Sequence, residues 1–275
     1  MFKKITPIRF DGYMQSGGST KPWRVVAIDT QLEDLKEVAY VVKTYTVKNI
    51  TQGHNIAKEF ICNALAGQFD LAVPTAYLID LHDADFVSSL EQDPLEVLSG
   101  KYNGVTFASE LLDATIINEQ LKGPFTITDC ATLFAFDCLT LNTDRGGWRN
   151  KPNLLVDDEG FILIDHELTF HIIDTSDPLS YYKVIEHLYD ASWINLYSKH
   201  IFYARLKTYR GSKKHLFDTF EQSLLTLDIN YIHRVINNLA ANQIEVGSSA
   251  FLIEYLSTLK QNTHRFINIL SGLIS

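Results

Sequence analysis

Two hydrophobic periods divide this chain. In residues 23–29 (WRVVAID) and 38–47 (VAYVVKTYTV), β-branched and aromatic side chains crowd into short runs, the mark of strands. The polar QLEDLKE between them predicts a turn and an antiparallel hairpin. Over 55–71 the period lengthens, with Ile56, Phe60, Ala64 and Leu65 recurring at helical spacing. Pro74 follows, and 76–81 (AYLIDL) reads as a further strand. Residues 82–104 are polar, contain Pro94 and Gly100, and are expected to be a linking segment. Thr126-Ile-Thr-Asp129 has the form of a helix cap, and 131–141 continues that helix. Asn142 to Pro152 is a polar loop containing Gly146-Gly147. The short apolar runs 153–156 and 161–164 then flank Asp157-Asp158-Glu159-Gly160, which signals a hairpin. From about Pro178 the pattern is mostly helical, ending in 248–273. The fold class expected is α+β: a strand-rich first part, then a helical part with one small hairpin.

Composition narrows the function. With 275 residues and 46% hydrophobic content, the chain can bury a large core, so disorder is excluded. The net charge of −9 disfavours nucleic acid or an anionic membrane as whole-surface partners. No apolar run approaches the roughly 20 residues of a membrane span, and no apolar stretch follows the lysines of the N-terminus as a secretory signal would require. Cys62, Cys130 and Cys138 are odd in number, apolar in context and without zinc spacing, which fits buried thiols in a reducing compartment. A cytoplasmic protein is expected. Lys207, Arg210, Lys213 and Lys214 form a local basic patch, readable as a site for an acidic partner or as a solvated helix end.

The chemistry concentrates in 141–170, LNTDRGGWRNKPNLLVDDEGFILIDHELTF. Asp144 lies on a loop after a helix, Asn153 at the mouth of the hairpin and Asp165 at its far end. The outer ends of an antiparallel hairpin lie side by side, so Asn153 and Asp165 should be neighbours. An amide oxygen beside a carboxylate is a hard-oxygen site suited to Mg²⁺. Asp144 is placed to accept a proton from an incoming hydroxyl. A base followed by two metal ligands is the layout that phosphoryl transfer needs. Asp and Asn are also ordinary turn residues. Two features favour chemistry: the apolar FILI run delivers Asp165 and then Glu167, and Arg145 can fix the loop with its rigid donor fork.

Upstream, Lys43 lies inside an apolar strand, where a lysine is costly without a partner. Glu59, on the following helix, is suited to pair with it, as in kinases that hold a lysine against nucleotide phosphates. Lys58 competes as the functional helix residue, but its charge would repel Lys43. Gln15-Ser-Gly17-Gly18-Ser19-Thr20 precedes the first strand, and its small residues let backbone N–H groups approach phosphate oxygens. It is not a Walker A loop. His166, His171 and Glu167 hint at a metal site, but no HExxH occurs. G-x-S-x-G and a strand-following G-x-G-x-x-G are also missing.

The set Asn142-Thr-Asp144-Arg145, Pro152-Asn153-Leu-Leu-Val156 and Leu163-Ile-Asp165-His166 resembles the catalytic segment of the HipA-like kinases. It is similar also to the atypical kinases related to phosphatidylinositol kinases. Gly17-Gly-Ser-Thr-x-Pro-Trp-Arg-Val25 and Val41-Val-Lys43 extend the resemblance, which runs from Gly17 to Phe170. It implies a bilobal protein-kinase-like fold, with a nucleotide-binding lobe over 1–105 and a catalytic, mainly helical lobe over 106–275. It also implies ATP and Mg²⁺ as cofactors and a Ser/Thr protein kinase activity, with ATP and a protein substrate as partners. By resemblance Lys43 holds the α/β-phosphates and pairs with Glu59, and Gly17, Gly18 and Ser19 cover the phosphates. Asp144 is the base, and Asn153 and Asp165 are the metal ligands, with Asn150 a rival to Asn153. His-Glu follows Asp165 in place of Phe-Gly, a departure at the usual switch segment. The alternatives are a non-catalytic nucleotide- or partner-binding module and a small-molecule or lipid kinase on the same fold.

Overall fold

The computed structural model describes residues 2–14, 21–30, 36–117, 125–146, 151–177 and 197–275. The first strands are β1 (Lys3–Tyr13), β2 (Trp23–Ile28) and β3 (Val38–Val42). As the sequence predicts, β2 and β3 pair antiparallel, with Trp23 opposite Val42 and Ala27 opposite Val38. β4 (Ala76–Ile79) and β5 (Thr106–Glu110) complete a closed barrel in the order β1-β2-β3-β5-β4. Its β4–β1 seam is parallel and its other pairings antiparallel. Closure removes the open edges that would otherwise template aggregation. Trp23, Val25, Tyr40, Val42, Ile79 and Ala108 pack together inside it.

Three elements depart from the sequence expectation. β3 stops at Val42, short of the predicted 47, because Thr46 caps a short helix, α1 (Val47–Thr51), in a capping box with Asn49. Lys43 therefore follows the strand. The expected linker 82–104 holds α3 (Ala84–Ser88), capped by Asp83, and α4 (Gln92–Ser99). Their buried contacts are few (Phe86, Pro94 and Leu98), which leaves a weak apolar period to read. β5 lies beyond the expected division at residue 105 and pairs with β3 and β4.

α2 (Asn55–Gln68) is the predicted helix, and Ile56, Phe60, Ala64 and Leu65 are all buried in the main core. α5 (Ile127–Leu139) opens with the expected Thr126/Asp129 capping box and is buried from Cys130 to its end. The three cysteines are free and buried. β6 (Thr115–Ile116), β7 (Leu154–Val156) and β8 (Phe161–Leu163) form a separate antiparallel sheet, and β7–β8 is the predicted hairpin. A 3₁₀ turn (His171–Asp174) follows, and the described residues from 197 on hold α6 (Tyr203–Thr208), α7 (Asp218–Thr226), α8 (Ile229–Ala241), α9 (Ser249–Gln261) and α10 (Thr263–Ile274). α8 packs on α2, joining the helical part to the barrel's helix. No helix among the described residues is long and apolar enough to cross a membrane.

Candidate active site

The hairpin register brings the two ends of the 141–170 segment together. Leu154 pairs with Leu163, and Ile164 N–H donates to the Asn153 carbonyl at 3.3 Å, so Asn153 and Asp165 stand at one mouth. Both have left-handed backbones, φ +45° for Asn153 and +64° for Asp165. Asn and Asp adopt that region more readily than other side-chain-bearing residues. Asn153 Nδ2 donates to Asp144 Oδ2 at 3.1 Å, and both residues are buried. With its amide nitrogen so engaged, Asn153 keeps Oδ1 for another partner.

Lys43 reaches the same mouth from the barrel. Its ammonium pairs with Glu59 Oε1 and, at 2.7 Å, with Asp165 Oδ1. Glu59 is buried, and its Oε2 accepts the His166 backbone N–H at 3.1 Å. Burial works against the Lys43 ammonium, but Asp165 and Glu59 beside it raise its pKa well above the ordinary value. Burial likewise opposes the Asp165 carboxylate, yet Lys43 wins and holds it below the usual range. Burial raises Glu59 in spite of Lys43. Lys43 and Glu59 thus meet as the sequence reading expects, and Asp165 joins them, a contact it did not give.

Behind the mouth lies a sealed network. Asp137 on α5 accepts from Arg145 Nε at 2.5 Å, His200 Nε2 at 2.9 Å and Asn142 Nδ2 at 3.0 Å. Asn142 Oδ1 in turn accepts the Asp144 N–H at 3.1 Å, and Arg145 Nη1 donates to the Asn153 carbonyl. Phe202 N–H donates to His200 Nδ1, so the proton that meets Asp137 sits on Nε2 and the imidazole is neutral. Burial lowers the His200 pKa against the pull of Asp137. For Asp137, burial is outweighed by Arg145 and His200, and the pKa falls. The expected role of Arg145 in fixing the loop is met through this hub. Asp137 and His200 were not legible as site residues, since a lone Asp in an apolar helix and a His some sixty positions on share no spacing rule.

Glu167 contributes a third carboxylate: one oxygen from each of Glu59, Asp165 and Glu167 lies within 4.8 Å of the others. Burial raises its pKa. His166 is buried, neither ring nitrogen finds a hydrogen-bond partner among the described residues, and burial together with Arg145 pushes its pKa down to about 3. A metal site through His166 and His171 finds no support in this geometry. Gly17, Gly18, Ser19 and Asn150 lie outside the described residues. In the basic patch, Lys213 Nζ donates to the Ile274 carbonyl at 2.6 Å and Lys207 Nζ to that of Ser275, so both serve the end of α10.

The donor set suits a hard cation and a phosphate. Asp144, Asn153 and Asp165 offer only oxygens to a metal, which matches the habit of Mg²⁺, and Lys43 is held charged beside them.

The sequence matches a family model, described as HipA-like kinase, over residues 15–230. No curated protein matches it. Among solved structures, the chain is similar to the Helicobacter pylori proinflammatory kinase CtkA, with a TM-score of 0.51 and 13% identity. That likeness covers 100% of this chain and 98% of the other, and at this identity it speaks for the fold alone.

Proposed function

The chain belongs to the HipA-like kinase family, and we propose that it is an ATP- and Mg²⁺-dependent kinase acting on a serine or threonine hydroxyl of a protein. A kinase-type phosphotransferase follows from the membership; the nucleotide, metal, acceptor and residue roles are the proposal. The observation that carries it is Lys43, bridging Glu59 and Asp165 at the hairpin mouth where Asn153 meets Asp144. In this reading the barrel forms one lobe and the helices the other, divided after β5 rather than at residue 105.

Lys43 holds the α/β-phosphates and Glu59 holds Lys43, as in the strand-lysine and helix-glutamate arrangement of kinases. Asn153 and Asp165 would hold Mg²⁺, which when bound would supply positive charge to offset the charge that develops in phosphoryl transfer. Lys43, now paired with Glu59 and Asp165, would hold the phosphates with Glu59 still beside it. Asp144 accepts the proton of the acceptor hydroxyl, and its hydrogen bond from Asn153 keeps the base beside the metal ligand. By the resemblance, Gly17, Gly18 and Ser19, which lie outside the described residues, would cover the phosphates.

The test is transfer from γ-labelled ATP into whole-cell lysate, with wild type and Asp144→Asn compared. Wild type should give a discrete labelled protein band. Asp144→Asn should lower transfer about 10²–10⁴-fold, the usual worth of a general base, while binding ATP as before. Asp144→Asn turning over at the wild-type rate would remove Asp144 from the mechanism. ATP consumption without a labelled protein would move the acceptor to a small molecule or lipid, and failure to bind ATP would leave a partner-binding module.

A further inference from the structure

The helix that carries Glu59 carries a second buried charge beside it. Lys58 is 3% exposed, and consecutive helical residues point about 100° apart, so it cannot serve the partner that Glu59 serves. Its ammonium meets Asp174 Oδ2 at 2.6 Å, and the other oxygen of that carboxylate lies 3.1 Å from His54 Nδ1, at the start of α2. Asp174 is anchored from the far side. Ser248 N–H donates to the Ile173 carbonyl at 2.9 Å, and Ser248 Oγ donates to the Thr175 carbonyl at 2.5 Å. Gly247, at φ +71°, lets the chain pass so close that a Cβ would collide with the Ile173 carbonyl and the His54 ring.

A buried ion pair is a weak source of stability, because desolvation offsets the attraction and an apolar pair packs as well. What it supplies here is direction. Besides Thr169 Oγ1, which accepts from Cys62 Sγ at 3.2 Å, and Glu167, whose Oε2 lies 3.5 Å from Asn55 Nδ2, the segment 165–174 grips α2 at two adjacent charged residues: the His166 N–H and the Asp165–Lys43 pair at Glu59, and Asp174 at Lys58. Two grips on one helix, from different sides, set its rotation about its own axis. We infer that Lys58 and Asp174 are positioning residues, an ion pair that fixes the rotation of α2 so that Glu59 meets Lys43. Nucleotide handling by Lys43 is thereby tied to the conformation of the chain downstream of Asp165. The inference rests on the kinase reading for its consequence and on geometry alone for the clamp.

The experiment compares wild type with Lys58→Met, Asp174→Asn and Asp174→Glu in ATP turnover, urea unfolding and amide exchange over residues 55–60. Lys58→Met keeps the length of the side chain and leaves Asp174, a quarter exposed, with His54, so the chain should fold with a midpoint near wild type. Its KM for ATP should rise roughly 3- to 30-fold, the range for residues that act through a neighbour. Asp174→Asn should do the same and Asp174→Glu should recover most of the loss. Lys58→Met should add nothing to the defect of Glu59→Gln. An unchanged KM in Lys58→Met, or full additivity with Glu59→Gln, would overturn the inference. If Asp174→Asn fails to fold, Lys58→Met decides alone. Should wild type bind no ATP, the kinase reading falls and amide exchange judges the clamp. Faster exchange over 55–60 in Lys58→Met upholds it, and unchanged exchange refutes it.

Discussion

Two buried ion networks lie on either side of the hairpin mouth, and they are built for opposite purposes. Around Asp137, every charge is sealed: the Arg145 and Asp137 side chains are both 0% exposed, one cation faces one anion, and His200 is neutral. Around Lys43 the side chains stay partly open, 11% for Lys43 and 23% for Asp165, and one cation faces Glu59, Asp165 and Glu167. The first network is balanced in charge, one cation to one anion, with only Arg145 Nη2 left without a hydrogen-bond partner among the described residues. The second has more acid than base, and burial raises Glu59 and Glu167 as it would where carboxylates are crowded. An open site with surplus oxygen ligands is a place for a further cation. The sealed network holds the backbone of Asp144 and Asn153, and in the proposed reading the open one handles the nucleotide and its cation.

Breaking each network should therefore register on a different instrument. Asp137→Leu leaves the Arg145 guanidinium buried without its carboxylate and should cost about 3–5 kcal/mol in denaturant unfolding. Lys43→Met should abolish ATP turnover at much smaller cost to stability, since its acids can take up protons. Equal destabilisation by the two substitutions would erase the contrast.

The surplus of acid sharpens into a metal test. Asp165→Ala should remove the Mg²⁺-dependent part of ATP affinity, by about 10- to 100-fold, a range that even outer-sphere partners of a metal command. ATP titration with and without Mg²⁺ measures it, and Asn153→Ala should follow Asp165→Ala. If Asn150→Ala lost the Mg²⁺ dependence and Asn153→Ala kept it, Asn150 would be the ligand.

Within the open network, Lys43 and Glu59 should act as one unit. A double-mutant cycle on ATP affinity should give a coupling of about 0.5–3 kcal/mol, the range for residues in contact. Strict additivity would mean the pair has no part in nucleotide binding.

The sealed network predicts the smallest effect, in the pH dependence of stability. The folded protein holds His200 neutral, with its pKa below the ordinary value, whereas the unfolded chain takes up a proton below about pH 6.5. Stability from this group is present above that pH and is lost as pH falls toward the folded value. The slope is at most about 1.4 kcal/mol per pH unit. Asp137 adds a loss of the same sign at lower pH, as it falls from about 3.9 toward its depressed folded value. Urea unfolding at pH 7.5 and 5 should show the drop, to which buried His166 adds with the same sign, so His200→Gln should lessen it without removing it.

How far the site was legible depended on whether its parts share a short stretch of chain. Asp144, Arg145, Asn153 and Asp165 are separated by one loop and one hairpin, so antiparallel geometry alone predicted that the last two would meet. Glu59 and Lys43 were legible through a charge misplaced in an apolar run. The helices α3 and α4 were not, because only three of their residues reach the core. Nor was β5, whose run TFASE carries no clear alternation and is a strand because β3 and β4 offer it partners on both sides.

By itself, the sequence determined the order of periods, the helix capped at Thr126, the hairpin and the residue types at its mouth, since each follows from neighbours within a few positions. Only the tertiary structure decided that the strands close into a barrel, that Asp137 gathers Arg145 and His200, and that Lys58 finds Asp174 while Glu59 finds Lys43. Those pairings join residues up to 116 positions apart. What selects them is the need to match each buried charge with a partner, a condition that no local pattern encodes.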